Sequence, residues 1–147
     1  MIDKAIGGHV TFGDTPQYTV TVETLQELQV PSIVLNNSDE FKKTNKLLKE
    51  FISNIAIIQF IDTKIFNLKN IFKAEGLITI AKKVDLYFGI YGGSIRPADK
   101  EASGVMYYTL DNLLKEIEET PELFTDDLMT FLTEYEVEIK KFLNQLD

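Results

Sequence analysis

Two glutamates, Glu23 and Glu27, sit four residues apart in a stretch that opens on two glycines, GGHVTFGDTPQYTVTVETLQELQV from Gly7 to Val30. On a helix that spacing sets them about 6 Å apart along the axis and on nearly the same side, because four residues make slightly more than one turn. Two carboxylates so placed repel each other in the absence of a cation. A hard divalent ion such as Mg²⁺ reverses the sign, since it prefers oxygen ligands and bridges carboxylates to substrate phosphates. Glycine backbone ahead of the helix lets main-chain groups approach an ion or a phosphate closely. The same residues also read as an ordinary exposed helix fed by a tight turn, and spacing alone leaves both readings open.

Composition narrows the chemistry. The chain has 147 residues, 44% of them hydrophobic, which suits one compact unit with a single core, residues 1–147. Fifteen Lys and Arg stand against 23 Asp and Glu, a net charge of −8 that repels nucleic-acid phosphates. Lys42, Lys43, Lys46 and Lys49 form a small basic cluster, read as the solvated face of a helix rather than a nucleic-acid footprint. There is no cysteine, which excludes disulfides, thiolate metal sites and thiol nucleophiles and fits a reducing cytosol. One histidine, His9, is too few for a histidine-rich zinc site, so carboxylate oxygens are the obvious ligands. No window approaches the ~18 uninterrupted apolar residues of a membrane span, and a soluble cytoplasmic protein is expected.

The elements that must position these residues follow from caps and periodicity. Thr15 and Pro16 predict a helix start, with the helix running to about Leu28 and an apolar stripe of Tyr18, Val22, Leu25 and Leu28. Ser38 to Glu40 supplies a cap and an acidic first turn for a second helix reaching Ile55, with Phe41, Leu48, Phe51, Ile52 and Ile55 as its stripe. From Ile55 to Tyr91 short β-rich runs, IAIIQFI, KIFNL, LITIA and VDLYFGIY, are broken at Asp62-Thr63, Asn67 to Asn70 and Gly92-Gly93. GVMYYTL predicts a further strand, leading into a helix over Asp111 to Glu119. Pro121 separates that helix from a last one capped by Thr125, with a stripe from Leu128 through Phe131, Leu132, Tyr135, Ile139 and Phe142 to Leu146. No repeating strand–helix unit is visible, so the class is α+β.

The Gly7 to Val30 stretch resembles the Nudix box, whose pattern is G, five residues, E, seven residues, then R-E-U-x-E-E-x-G-U, with U a bulky aliphatic. Without a gap, Gly8 takes the first glycine, Asp14 the acidic position, Glu23 the first helix glutamate, Glu27 the second of the E-E pair and Val30 the closing aliphatic. Val22, Thr24, Gln26 and Gln29 stand where the pattern has arginine, aliphatic, glutamate and glycine. The later segment from Val84 to Leu128 is similar to the latter part of a Nudix domain, including an aromatic-rich strand, a TLDNLL helix start and a PELFT turn. Read physically, that turn has Pro121 as breaker and Phe124 as a staple onto the core.

The resemblance implies a Nudix-like α/β/α sandwich with a mixed sheet. Only six residues precede Gly7, where the family has early strands. The chain is therefore expected to be a fragment or truncated product, or else a homo-oligomeric partner or rearranged sheet covers the edge, with the Ser38 to Ile55 helix a candidate cover. The resemblance further implies a Mg²⁺- or Mn²⁺-dependent hydrolase of a nucleoside diphosphate derivative or related diphosphate. Glu23 and Glu27 would hold the metal, and Glu101, in ADKEASG, would ligate or act as base, an exposed loop glutamate being the alternative. The Gly7 carbonyl would contact the metal, Gly8 would shape the loop, and His9 would hydrogen-bond within it. The competing readings are a catalytically weak or inactive Nudix-like module that binds a nucleotide or a protein, and a small acidic protein docking a partner through its last helix.

Overall fold

The computed structural model of the chain describes residues 1–67, 71–73, 76–78, 81–98, 100 and 102–146. Its class is α+β, with five helices and a three-stranded mixed sheet among the described residues. Helix α1 (Pro16–Leu28) starts as its sequence dictates: the Thr15 hydroxyl accepts from the Tyr18 N–H at 3.1 Å, and Pro16 fills the first helical position. It stops at Gln29, which adopts the left-handed conformation with φ 56°, and Pro31 prevents continuation.

The buried side of α1 differs from the expected stripe. Val20, Thr24 and Leu28 face the core, while Tyr18 and Leu25 are more than half exposed. The helix is apolar on two sides, and periodicity cannot choose between them. Thr24 is admitted to the interior because its hydroxyl donates to the Val20 carbonyl at 2.6 Å, leaving its methyl group to pack.

After α1 comes a strand that the sequence did not signal, β1 (Ser32–Leu35), which runs parallel to β2 (Ala56–Asn67). The crossover between them is α2 (Ser38–Leu47), shorter than the predicted run to Ile55. Its cap is Asn37 rather than Ser38, with the Asn37 side chain accepting from the Glu40 N–H at 2.9 Å. A 3₁₀ turn over Lys49–Phe51 follows and leaves Phe51 half exposed. Lys42, Lys43, Lys46 and Lys49 all face solvent.

Strand β2 pairs antiparallel with β5 (Ala81–Ile90), giving the order β1-β2-β5, and β3 (Ile71–Lys73) pairs with β4 (Gly76–Ile78) in a separate two-stranded ladder. The expected break at Asp62-Thr63 is instead a β-bulge: Phe60 faces Tyr87 and Asp62 faces Leu86, so Ile61 is the extra residue. The other expected break, at Asn67 to Asn70, and the centre of LITIA fall largely outside the described residues.

Because β2 is paired on both edges, its alternate side chains feed two cores. Ala56 and Ile58 meet Val30, Val20 and Leu28 on the α1 side. Ile57 meets Phe41 of α2 and Phe142, near the C-terminus, on the other, where the Phe142 ring centroid lies 5.0 Å from Phe41 and 5.5 Å from Phe88. Helices therefore cover the sheet on both faces.

Residues 102–109 form no strand, contrary to the reading of GVMYYTL, and Val105, Met106 and Tyr107 are exposed there. β-rich composition makes a strand only beside a partner edge, and no described strand pairs with this segment. Thr109 then caps α3 (Leu110–Glu119). Phe124 is buried, as a staple should be, and Ile2 bridges to it, with the Ile2 N–H donating to the Leu123 carbonyl at 2.6 Å and the Thr125 N–H to the Ile2 carbonyl at 2.9 Å.

The single last helix is in fact two, α4 (Asp126–Glu134) and α5 (Glu136–Asn144). They break at Tyr135, whose φ of −117° leaves the helical range while its hydroxyl donates to Asp62 at 2.9 Å. The apolar stripe survives the break, with Leu132, Tyr135 and Phe142 buried, although Leu146 at its end is exposed. No helix among the described residues is long and apolar enough to cross a membrane.

Burial, followed by the Asp62 carboxylate that accepts its proton, pushes the Tyr135 hydroxyl pKa up to about 12. Its folded value lies above the usual tyrosine value of about 10, so its contribution to stability is complete below pH ~10 and is lost as pH rises towards ~12. Denaturant midpoints measured from pH 9 to 12 should fall through that window, and Tyr135→Phe should flatten the fall. Truncating Phe142 to Ala empties the space between Phe41 and Phe88, and urea unfolding should register a loss of about 3–5 kcal/mol.

Candidate functional site

The two glycines that open the sequence motif are there for close approach rather than for a turn. Neither has positive φ; the left-handed glycine of the segment is Gly13, at φ 91°, in the turn where the Asp14 N–H donates to the Thr11 carbonyl. A Cβ added to Gly8 would stand 2.5 Å from the Glu23 carboxylate carbon and from its Oε1. One added to Gly7 would stand 2.7 Å from the Lys4 side chain. The loop backbone at Gly8 and the Glu23 carboxylate are thus in direct contact, on a loop where Gly7, Gly8 and His9 are all exposed.

Glu23 and Glu27 are both half-buried, on the flank of α1 next to the core-facing positions Val20 and Thr24. That placement follows from the way the helix seats itself: with Thr24 inward, residues 23 and 27 are drawn towards the protein, while Gln26 is exposed. Gln17 helps fix the rotation, its amide donating to the Val34 carbonyl at the end of β1 at 3.0 Å. The neutral Gln26, three residues on from Glu23 and so beside it on the helix surface, turns to solvent.

A second segment reaches the same helix end. The Ala98 N–H donates to the Glu27 carbonyl at 2.9 Å, so the loop after β5 is tied to the last turn of α1. That loop leaves the sheet through Gly92, whose N–H donates to the Ile52 carbonyl at 2.8 Å, and Gly93, where an added Cβ would collide with the Tyr91 hydroxyl and stand 2.5 Å from the Ser53 carbonyl. Gly92-Gly93 was legible as a strand terminator, but its role in steering Ala98 back to Glu27 was not. Glu101 lies three positions beyond Ala98 and outside the described residues.

The described residues contain no group of three or more His, Asp or Glu side chains arranged to hold a metal ion. What α1 offers is a pair of carboxylates, with exposed loop backbone against one of them. Cavities of about 440 and 280 Å³ lie elsewhere, the first lined by Met1, Phe124, Thr125 and Met129 among others, the second by Met129, Thr130, Thr133 and Glu134. Neither is lined by any residue of Gly7 to Val30.

No protein-family model, curated protein or solved structure matches the chain.

Gln29, the C-cap of α1, carries backbone strain. It holds φ 56°, where a side chain costs about 1–2 kcal/mol, and it stands at the position that the Nudix pattern gives to glycine. Gln29→Gly should raise stability by up to about 1 kcal/mol in chemical denaturation, as the relieved strain exceeds the added chain entropy. Gly93→Ala should act in the opposite sense, costing about 1–3 kcal/mol by the same measurement because backbone as well as side chain must move.

Proposed function

We propose that the chain is a Nudix-type pyrophosphohydrolase, a cytoplasmic Mg²⁺- or Mn²⁺-dependent hydrolase of a nucleoside diphosphate derivative or a related diphosphate. The observation that carries this reading is the contact between the Glu23 carboxylate and the backbone at Gly8, with Glu27 one turn further along the same flank of α1. Helices on both faces of a mixed sheet agree with the α/β/α sandwich that the motif implies.

The donor set fits a hard divalent cation of the Mg²⁺ type. Such an ion keeps several waters and takes one or two protein carboxylates together with substrate phosphate oxygens, rather than a closed protein cage. Glu23 and Glu27 would supply the carboxylates and the Gly7 carbonyl a further oxygen. When bound, the cation would neutralise pyrophosphate charge and lower the pKa of a water for attack at phosphorus.

The chain's own residues have separate tasks. Gly8 keeps the loop against Glu23, and the Ala98 bond to the Glu27 carbonyl holds the later loop, which leads on to Glu101, at the same helix end. Glu101 is the proposed further ligand or base. His9 orders the loop. Gln26 removes one negative charge that the full pattern would supply, so cation affinity is lower and turnover slower than with three helix glutamates. The neutral amide of Gln26 beside Glu23 supports the alternative in which the same site binds a nucleotide with little or no turnover.

Titrating Mg²⁺ or Mn²⁺ against thermal stability tests the reading directly. Saturable stabilisation is expected, about 1.4 kcal/mol at ten times Kd and hence a rise in Tm of about 4 °C. Glu27→Gln should abolish it. Gly8→Ala should abolish it as well while leaving the fold intact, since the new methyl group has only the mobile end of Glu23 to displace. No shift at 10 mM of either ion would refute the cation site. If the shift is present, release of phosphate-bearing products from a panel of nucleoside diphosphate derivatives separates the hydrolase from the binding module.

A further inference from the structure

The segment ahead of Gly7 is fastened to the PELFT turn. Ile2 bridges to Phe124 through its own N–H and carbonyl, and beside it the Thr125 hydroxyl donates to Asp3 Oδ1 at 2.7 Å. The same oxygen accepts from the Lys4 N–H at 2.8 Å, and the Lys4 ammonium lies 3.2 Å from Asp3 Oδ2 and 4.0 Å from Asp127 of α4. Thr125 can do this without giving up its place as cap of α4, because a hydroxyl both donates and accepts: it gives its proton to Asp3 and takes the Leu128 N–H at 3.3 Å. The anchor is itself held, by burial of Phe124 and by Lys82 of β5, 3.7 Å from Asp127.

This clasp stands four residues from the glycine loop. Four residues span at most about 14 Å, so a fixed Asp3 leaves Gly7 little room to leave the protein. Ile2, Lys4 and Ile6 are half-buried while Asp3 and Ala5 are exposed, the alternation of an extended segment lying with one side on the protein. The Lys4 side chain rests against Gly7, and the Glu23 carboxylate against Gly8, so the two adjacent glycines take one contact from the clasp and one from α1. In the other direction the loop meets its next anchor at Thr15, eight residues past Gly7, with Phe12 wholly exposed between. The nearer anchor restricts the glycines more, since the freedom of a tethered segment grows with its length. Exposed pairs of this kind add little to global stability, so opening the clasp acts locally.

We infer that residues 1–6 are a strap, clasped to Thr125 through Asp3, that sets the Gly7–Gly8 backbone against Glu23 and makes the PELFT turn part of the α1 site. Asp3 and Thr125 are positioning residues that act through the loop. The consequence for a bound cation rests on the function proposed above; the strap itself does not.

Backbone ¹⁵N relaxation on the metal-free full chain tests the strap. The Gly7 and Gly8 amides of the wild type should have order parameters near the rigid value of about 0.85, and Asp3→Ala should drop them below about 0.6 with those of β2 unchanged. Thr125→Val should reproduce the drop, whereas Thr125→Ser, which keeps the hydroxyl, should not. Beside a wild type that binds Mg²⁺, Asp3→Ala should weaken the Kd at least about threefold, and the charge-matched Glu50→Ala, at an exposed position of the 3₁₀ turn, should leave it unchanged. Glycine order that survives Asp3→Ala would overturn the inference, and so would a Kd that ignores that substitution. A wild type that does not respond to Mg²⁺ would refute the cation site alone, and the order parameters would still uphold or overturn the strap.

Discussion

Strand β2 is the constraint on which everything else rests. Over Ala56–Gln59 it is hydrogen-bonded on both edges, parallel to β1 and antiparallel to β5, so its backbone polar groups there are satisfied within the sheet and its side chains serve two layers. Adjacent residues do opposite work: Ile57 anchors the aromatic cluster of Phe41, Phe88 and Phe142, while Ile58 anchors the smaller cluster beneath α1. The seat of α1 on Ala56 and Ile58 sets the rotation of that helix. Rotation decides which flank Glu23 and Glu27 occupy, and the carboxylate pair is thus a consequence of alternation in a strand some thirty residues away.

How far each element was legible in the sequence depends on the kind of signal it carried. Both ends of α1 were legible because they are local: a threonine before a proline at one end, a proline that forbids continuation at the other. Its buried face was not, because Tyr18, Val22 and Leu25 are as periodic as Val20, Thr24 and Leu28, and only contact with the sheet distinguishes them. Strand β1 is four residues long and leaves too short a pattern to read. The division of the last helix at Tyr135 was hidden for a related reason: the break coincides with a hydrogen bond to Asp62, far away in sequence, while the apolar stripe runs across it. GVMYYTL carried the composition of a strand without a described edge to join.

The site was legible in its frame and less so in its supports. Spacing alone put Glu23 and Glu27 on one side of a helix, and the structure adds that both are drawn half inward and that Gly8 lies against the first of them. The bond from Ala98 to the Glu27 carbonyl could not be read from the chain, since nothing local in either segment announces it. Gln26 and Gln29 also gain distinct meanings. The first substitutes an amide for a charge at an exposed corner, and the second forces a side chain into backbone geometry suited to glycine.

The bulge at Ile61 acts as a parity switch. Before it, the odd-numbered residues Ile57 and Gln59 look towards α2 and the α5 end; after it, the even-numbered residues Asp62, Lys64 and Phe66 take that face, meeting Tyr135, Glu134 and Phe131 of α4 and its C-cap in turn. Without that one supernumerary residue the outer half of the hairpin would present Thr63 and Ile65 to α4 instead, and the tether at the join of the terminal helices would point away from them. The length of the chain between Ala56 and Asp62 is therefore under tighter control than its composition: a change of side chain there perturbs one contact, whereas a change of count reverses them all.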